Sequence, residues 1–259
     1  MSPLLGRGRQ HGVRGLAVSS HVVPPAAVRT AAPPSGWGGL VLGFAEDGRP
    51  VPVRLFRTEP TRAVMSSLDV VRVAAMRALA VGADLRVGTS RPSAWAAVAR
   101  LGVEGSHQVS VVNGPVRTSR PGTVHVPVLV VRDAVGEGRR DGATSPFGDT
   151  GQIPVVRMPG AGLPGAWTAR VTVVREPARP ASASLLAAAD LAVLGRLEAP
   201  EAETVSAALA APHATARMLT TLPQGWMLLV PKGGQPLAVE MRPSAVERQM
   251  LSLGAGPVG

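Results

Sequence analysis

The stretch VMSSLDVVRVAAMRALAVGADLRVGT, Val64 to Thr89, limits the possible folds of this chain more than any other. It reads as a strand end, a very short turn at Ser66-Ser67-Leu68, a long helix and a second strand. From Val70 to Val81 the helix is apolar almost all round, with Arg72 and Arg77 as the exceptions, so it is covered on most sides. Asp69 caps this helix or sits in its first turn, where a carboxylate favours the positive end of the dipole. Gly82 stops it.

The alternation continues. Pro92 starts a second helix that carries Trp95 and runs through Arg100, and Gly102 ends it. Further strands are expected at 62–68, 107–114, 125–134, 167–176 and 190–197, and further helices at 182–189, 200–210 and 213–222. Apolar strands alternating with helices imply a mainly parallel sheet. Residues 39–56 form a hairpin around Glu46-Asp47-Gly48, and 225–242 a second around Gly233-Gly234, because glycine accepts the positive φ of such turns. The segment SAVERQML closes the pattern with a helical turn. The fold class expected is α/β, a mainly parallel three-layer sheet with hairpins near both ends.

One domain is expected over 37–259, preceded at 1–36 by a disordered, basic, Pro/Ala-rich lead-in. Residues 136–165 break the pattern with GEGRRDGATSPFGDTGQ and PGAGLPGA, a Gly/Pro-rich loop of a size that is usually functional or disordered, disorder being the stronger reading. The apolar part of the N-terminal GLAVSSHVVPPAAV is too short and broken for a signal-peptide core. No stretch approaches the roughly 18 apolar residues of a transmembrane helix. A cytoplasmic location is expected, with peripheral contact at the inner face of the membrane as an option.

The formal net charge is +10, and Lys232 is the single lysine among 27 basic residues. With so much Ala, Gly, Pro, Val and Arg, the composition reads as that of a GC-rich bacterium with scattered arginines; the functional alternative is an electrostatic patch for nucleic acid, acidic lipid or an acidic partner. Three Phe, four Trp and no Tyr leave little for base stacking, and no arginine run exceeds two residues, so nucleic acid is disfavoured. The absence of cysteine excludes disulfides, thiolate metal sites and cysteine nucleophiles.

A phosphate-binding loop needs glycines whose neighbouring N–H groups converge on phosphate, a lysine to reach it and a Ser or Thr for Mg²⁺. The turn here is too short and lacks both glycine and lysine. Ser66 and Ser67 at a helix N-terminus, with Arg62 nearby, form a candidate anion site; the plainer reading is that the serines cap the helix. Asp133 ends an apolar strand where nucleotide hydrolases place an Mg²⁺-orienting acid, and is more simply a strand-end residue bonded to loop backbone. The alternative function is an α/β enzyme or nucleotide-binding protein, in which Ser66, Ser67, Thr89, Arg91 and Asp133 cluster at the carboxyl ends of the strands. GAGLPG at 160–165 matches G-x-G-x-x-G formally but lacks the strand before it and the helix after it. The five histidines have no metal-ligand spacing, Glu198, Glu201 and Glu203 read as helix capping, and Trp95, Trp167 and Trp226 read as core or rim packing. No G-x-S-x-G, H-E-x-x-H or S-x-x-K occurs. Neither catalytic residues nor a cofactor or metal is expected.

The segment GFAEDGRPVPVRLF…RAVMSSLDVVRVAAMRALAVGADLRVGTSRPSAWAAVARLG resembles the C-terminal cytosolic region of EccE, a component of the actinobacterial type VII (ESX) secretion apparatus. The shared features fall at Gly48 to Val51, Arg77 to Ala83 and Arg91 to Trp95, and the likeness covers roughly 38–135. EccE proteins carry two N-terminal transmembrane helices, and none is expected in this sequence, so the resemblance implies a stand-alone version of the cytosolic part, acting by contact with protein partners in a secretion complex. The order RAVMSS, helix, GADLRVGT, VPVLVVRDA, ADLAVLGRLEAPEAETVSAAL and GWMLLV is also similar to that of the FtsK/HerA-type ATPase core, which implies a degenerate P-loop NTPase fold stripped of its nucleotide site.

Overall fold

Ten strands form one mixed sheet in the order β2-β1-β10-β9-β8-β3-β7-β6-β4-β5. The structure is a computed structural model and describes residues 39–104, 108–116, 121–133 and 165–254. The expected lead-in at 1–36 and nearly all of the expected loop at 136–165 lie outside the described residues.

The strands are β1 (Leu40–Phe44), β2 (Pro50–Val53), β3 (Thr61–Met65), β4 (Asp84–Thr89), β5 (Val109–Asn113), β6 (Val128–Asp133), β7 (Thr168–Val173), β8 (Leu191–Leu194), β9 (Trp226–Pro231) and β10 (Leu237–Glu240). The helices are α1 (Leu68–Ala80), α2 (Ala96–Glu104, led by a 3-10 turn at Pro92–Trp95), α3 (Pro180–Ala187), α4 (Ala199–Ala208), α5 (Ala214–Thr221) and α6 (Ala245–Gly254). From β8 to β5 all neighbouring strands are parallel, and β9, β10, β1 and β2 extend the sheet antiparallel. The chain is thus α/β, and both expected hairpins join the same sheet, through Phe44 opposite Glu240. Gly48 (φ 79°) and Gly233 (φ 67°) supply the positive φ of their turns. Pro50 and Pro52 suit β2 to its edge position, where a missing N–H costs no ladder bond.

Two cores flank the sheet. On one face α1, Trp95 and Val98 bury Met65, Leu85, Val87, Leu129, Val131 and Val171. On the other, α3, α4 and α5 bury Val64, Ala192, Leu194, Leu228 and Val230. α1 ends as its sequence requires: Gly82 takes φ 91°, and the N–H groups of Gly82 and Ala83 donate to the carbonyls of Leu79 and Ala78. Its two arginines are tethers. Arg77 bonds Glu247 through Nε (2.6 Å) and Nη2 (3.0 Å) and donates to the Val41 carbonyl. Arg72, 3% exposed, donates to the Met250 and Leu251 carbonyls near the end of α6, a favourable place for a cation.

The arginines are less scattered than composition suggests. Arg62 pairs in register with Arg170, Arg170 with Val130, and Val130 with Arg86; Arg132 pairs with Gly88 and Thr172. Since side chains alternate along a strand, Arg62, Arg170, Arg132 and Arg86 share the face of Val64, opposite α1. Burial lowers the guanidinium pKa of Arg132 and of Arg170 from arginine's ordinary value, and the Arg62 charge adds to the effect on Arg170.

Candidate functional site

At the carboxyl end of the parallel strands, Asp133 stands opposite Thr89 across β6 and β4. Each is 1% exposed. A carboxylate this deep is tolerated only when paired and hydrogen-bonded. Oδ2 accepts the Thr89 hydroxyl at 2.8 Å and the Trp95 indole N–H at 3.1 Å, and Oδ1 accepts Arg91 Nη2 at 2.7 Å. The backbone N–H of Arg91 in turn donates to Thr89 Oγ1 at 2.9 Å. Asp133 therefore bonds side chains of the neighbouring strand and helix entry, where sequence suggests loop backbone.

This arrangement follows from local sequence. Odd-numbered residues of β4 and β6 face α1 and the core, so Thr89 and Asp133 point inward together. Pro92 starts the 3-10 turn that swings Trp95 beneath them, where it is fully buried. The burial of Trp95 is legible from its apolar neighbours; its role as a donor to Asp133 is not, and the only hint is that a buried indole N–H needs an acceptor.

Ser66 turns the other way. Its N–H donates to the Val193 carbonyl and its Oγ accepts the Gly195 N–H at 2.9 Å, tying β3 to β8. Because β7 lies between β3 and β6, Ser66 and Asp133 belong to strands about 10 Å apart, and each is bonded away from the other. Ser67 is the N-cap residue of α1, with extended backbone, but its side chain makes no capping bond. Asp69 occupies the first turn instead, 3.4 Å from Arg72, and its charge opposes an anion at that helix end. Arg62, expected beside the serines, sits at the opposite end of β3, about 13 Å along the strand, where its N–H donates to Asp190 Oδ2. The structure thus unites Thr89, Arg91 and Asp133, leaves Ser66 and Ser67 on the far side of the intervening strand β7, and removes Arg62 from the group.

Chemically, the Asp133 cluster is a closed knot. Three side-chain donors occupy a carboxylate that takes roughly four, and burial leaves no face for a metal ion. Among the described residues no group of three or more His, Asp and Glu could hold a metal ion, and no helix is long and apolar enough to cross a membrane. Glu201, expected to cap α4, does so by accepting the Glu198 N–H at 3.4 Å. No protein-family model matches the chain, and no curated protein matches it.

Proposed function

We propose that this chain is a non-catalytic structural or accessory component of an actinobacterial type VII secretion system, acting by protein–protein contact. One observation carries the non-catalytic part: the two residues at the positions of phosphate-turn serine and metal-orienting acid, Ser66 and Asp133, are consumed by bonds that hold the sheet together. The strand order, with β7 between β3, which leads to Ser66, and β6, which ends at Asp133, supports reading the fold as a degenerate P-loop core of FtsK/HerA type. The secretion role rests on the resemblance of residues 38–135 to the cytosolic region of EccE. The net charge of +10 and the partly exposed Arg86 of β4 support an acidic protein partner in this reading.

A tagged full-length chain, incubated with a detergent extract of actinobacterial membranes, is expected to retain secretion-channel components, and Arg86→Glu to reduce that retention. Equilibrium dialysis with labelled ATP and Mg²⁺ is expected to give no saturable binding. Saturable binding lost on combining Ser66→Ala with Asp133→Ala overturns the non-catalytic reading. Retention of no channel component overturns the secretion assignment.

A further inference from the structure

At the amino ends of β3 and β8, far from the Asp133 cluster, lies a cleft of about 330 Å³. Its walls are Val53, Leu55, Leu191 and Leu229, and Arg57 and Asp190 stand on its polar side. We propose that this cleft binds a small monocarboxylate with an apolar body, the carboxylate on Arg57 and the body against the leucines.

Arg57 is held for the purpose. Its Nε donates to Thr61 Oγ1 at 2.9 Å, and Nη2 lies 3.2 Å from Asp190 Oδ2. Asp190 is itself fixed by the Arg62 N–H, which donates to the same oxygen at 2.8 Å. The guanidinium plane is thereby set before any ligand arrives, which removes much of the ordering cost of binding. Nη1 donates no hydrogen bond among the described residues, so this N–H group is open to a carboxylate oxygen, the partner arginine's planar fork fits best. Asp190 pairs with the same guanidinium and opposes each added negative charge, so one carboxylate is favoured over two. Leu55, Leu191 and Leu229 are 1%, 7% and 4% exposed, so the floor of the cleft is fixed by the core, and Val53 and Leu237 offer the more accessible apolar surface. The volume lies at the small end of the range for ligand pockets, roughly 300–1,000 Å³, which favours a free acid over a folded partner. The site is independent of the secretion reading.

Calorimetric titration of the full-length chain with octanoate tests this. Saturable one-to-one binding is expected, with octan-1-ol binding roughly tenfold or more weakly and Arg57→Gln weakening octanoate by a similar factor. Val53→Phe, which fills the cleft from its rim, is expected to abolish binding while the melting temperature stays near that of the parent. Absence of saturable octanoate binding, or equal binding by the parent and either variant, overturns the proposal. Tighter binding of a peptide ending in Leu-Leu than of octanoate would assign the cleft to a chain terminus and overturn the free-acid occupant.

Discussion

The indole N–H of Trp95 donates to Asp133 Oδ2 at 3.1 Å inside a pocket where both residues are essentially unexposed. This bond and those from Thr89 and Arg91 join β4, β6 and the entry to α2 at one carboxylate. Asp133→Ala strands a buried hydroxyl and a buried indole N–H. Arg91, about a third exposed, recovers part of its loss from water. A destabilisation of about 3 kcal/mol is expected in urea unfolding. Asp133→Asn keeps one acceptor oxygen and the shape, and is expected to cost about half as much.

Glu247 gives a pH signature. Burial works to raise its carboxyl pKa, but the hydrogen bonds and charge of Arg77 and the Ser244 N–H outweigh burial and leave the pKa below the usual value of 4.5. A depressed folded pKa means that the ion pair stabilises fully above the unfolded pKa and that this contribution is lost as pH falls through the folded one. Glu247→Gln is expected to cost about 1–3 kcal/mol at pH 7. The gap between the two melting curves should hold constant down to about pH 5 and close below the ordinary glutamate range. A gap that persists at pH 2 would contradict the assignment.

Much of the scaffold is legible in sequence. The apolar run ending at Asp133, the glycine stop at Gly82 and the Asp47-Gly48 and Gly233-Gly234 turns place their elements within a few residues. These signals are local: side-chain period, a positive φ, a missing donor. What sequence does not disclose is lateral order. Nothing near Ser66 says that β7 separates it from Asp133, because strand order is settled by pairing between segments over a hundred residues apart. The same reason hides the purpose of Arg72 and Arg77. On a wheel they interrupt an apolar helix; in the fold they reach α6, some 170 residues downstream. Arg62 is close to Ser66 in sequence, yet the extended backbone carries them to opposite ends of β3.

Gly88 reports on the path of the chain after β5. A Cβ there would lie 2.4 Å from the Gly114 carbonyl oxygen and 3.0 Å from Val116 Cγ2. The first obstacle is backbone and cannot rotate aside. Gly88→Ala is expected to lower stability by about 1–3 kcal/mol in urea unfolding, whereas Gly233→Ala meets open space and carries only the strain of a positive φ, about 1 kcal/mol. Equal costs would mean that residues 114–116 do not press on β4.

Ser66 separates a structural serine from a phosphate-binding one. Its hydroxyl accepts the Gly195 N–H at 2.9 Å, so Ser66→Ala leaves that amide short of a partner and is expected to cost about 1 kcal/mol. A ligand that binds only the folded state raises stability by RT ln(1 + [L]/Kd), about 2.7 kcal/mol at a hundred times Kd. Thermal unfolding with millimolar ATP and Mg²⁺ is therefore expected to leave the parent's melting temperature unchanged, and Ser66→Ala to lower it equally with and without nucleotide. If the serine held phosphate, ATP would stabilise the parent and the variant would lose that increment; if it holds β8 against β3, the two effects stay uncoupled.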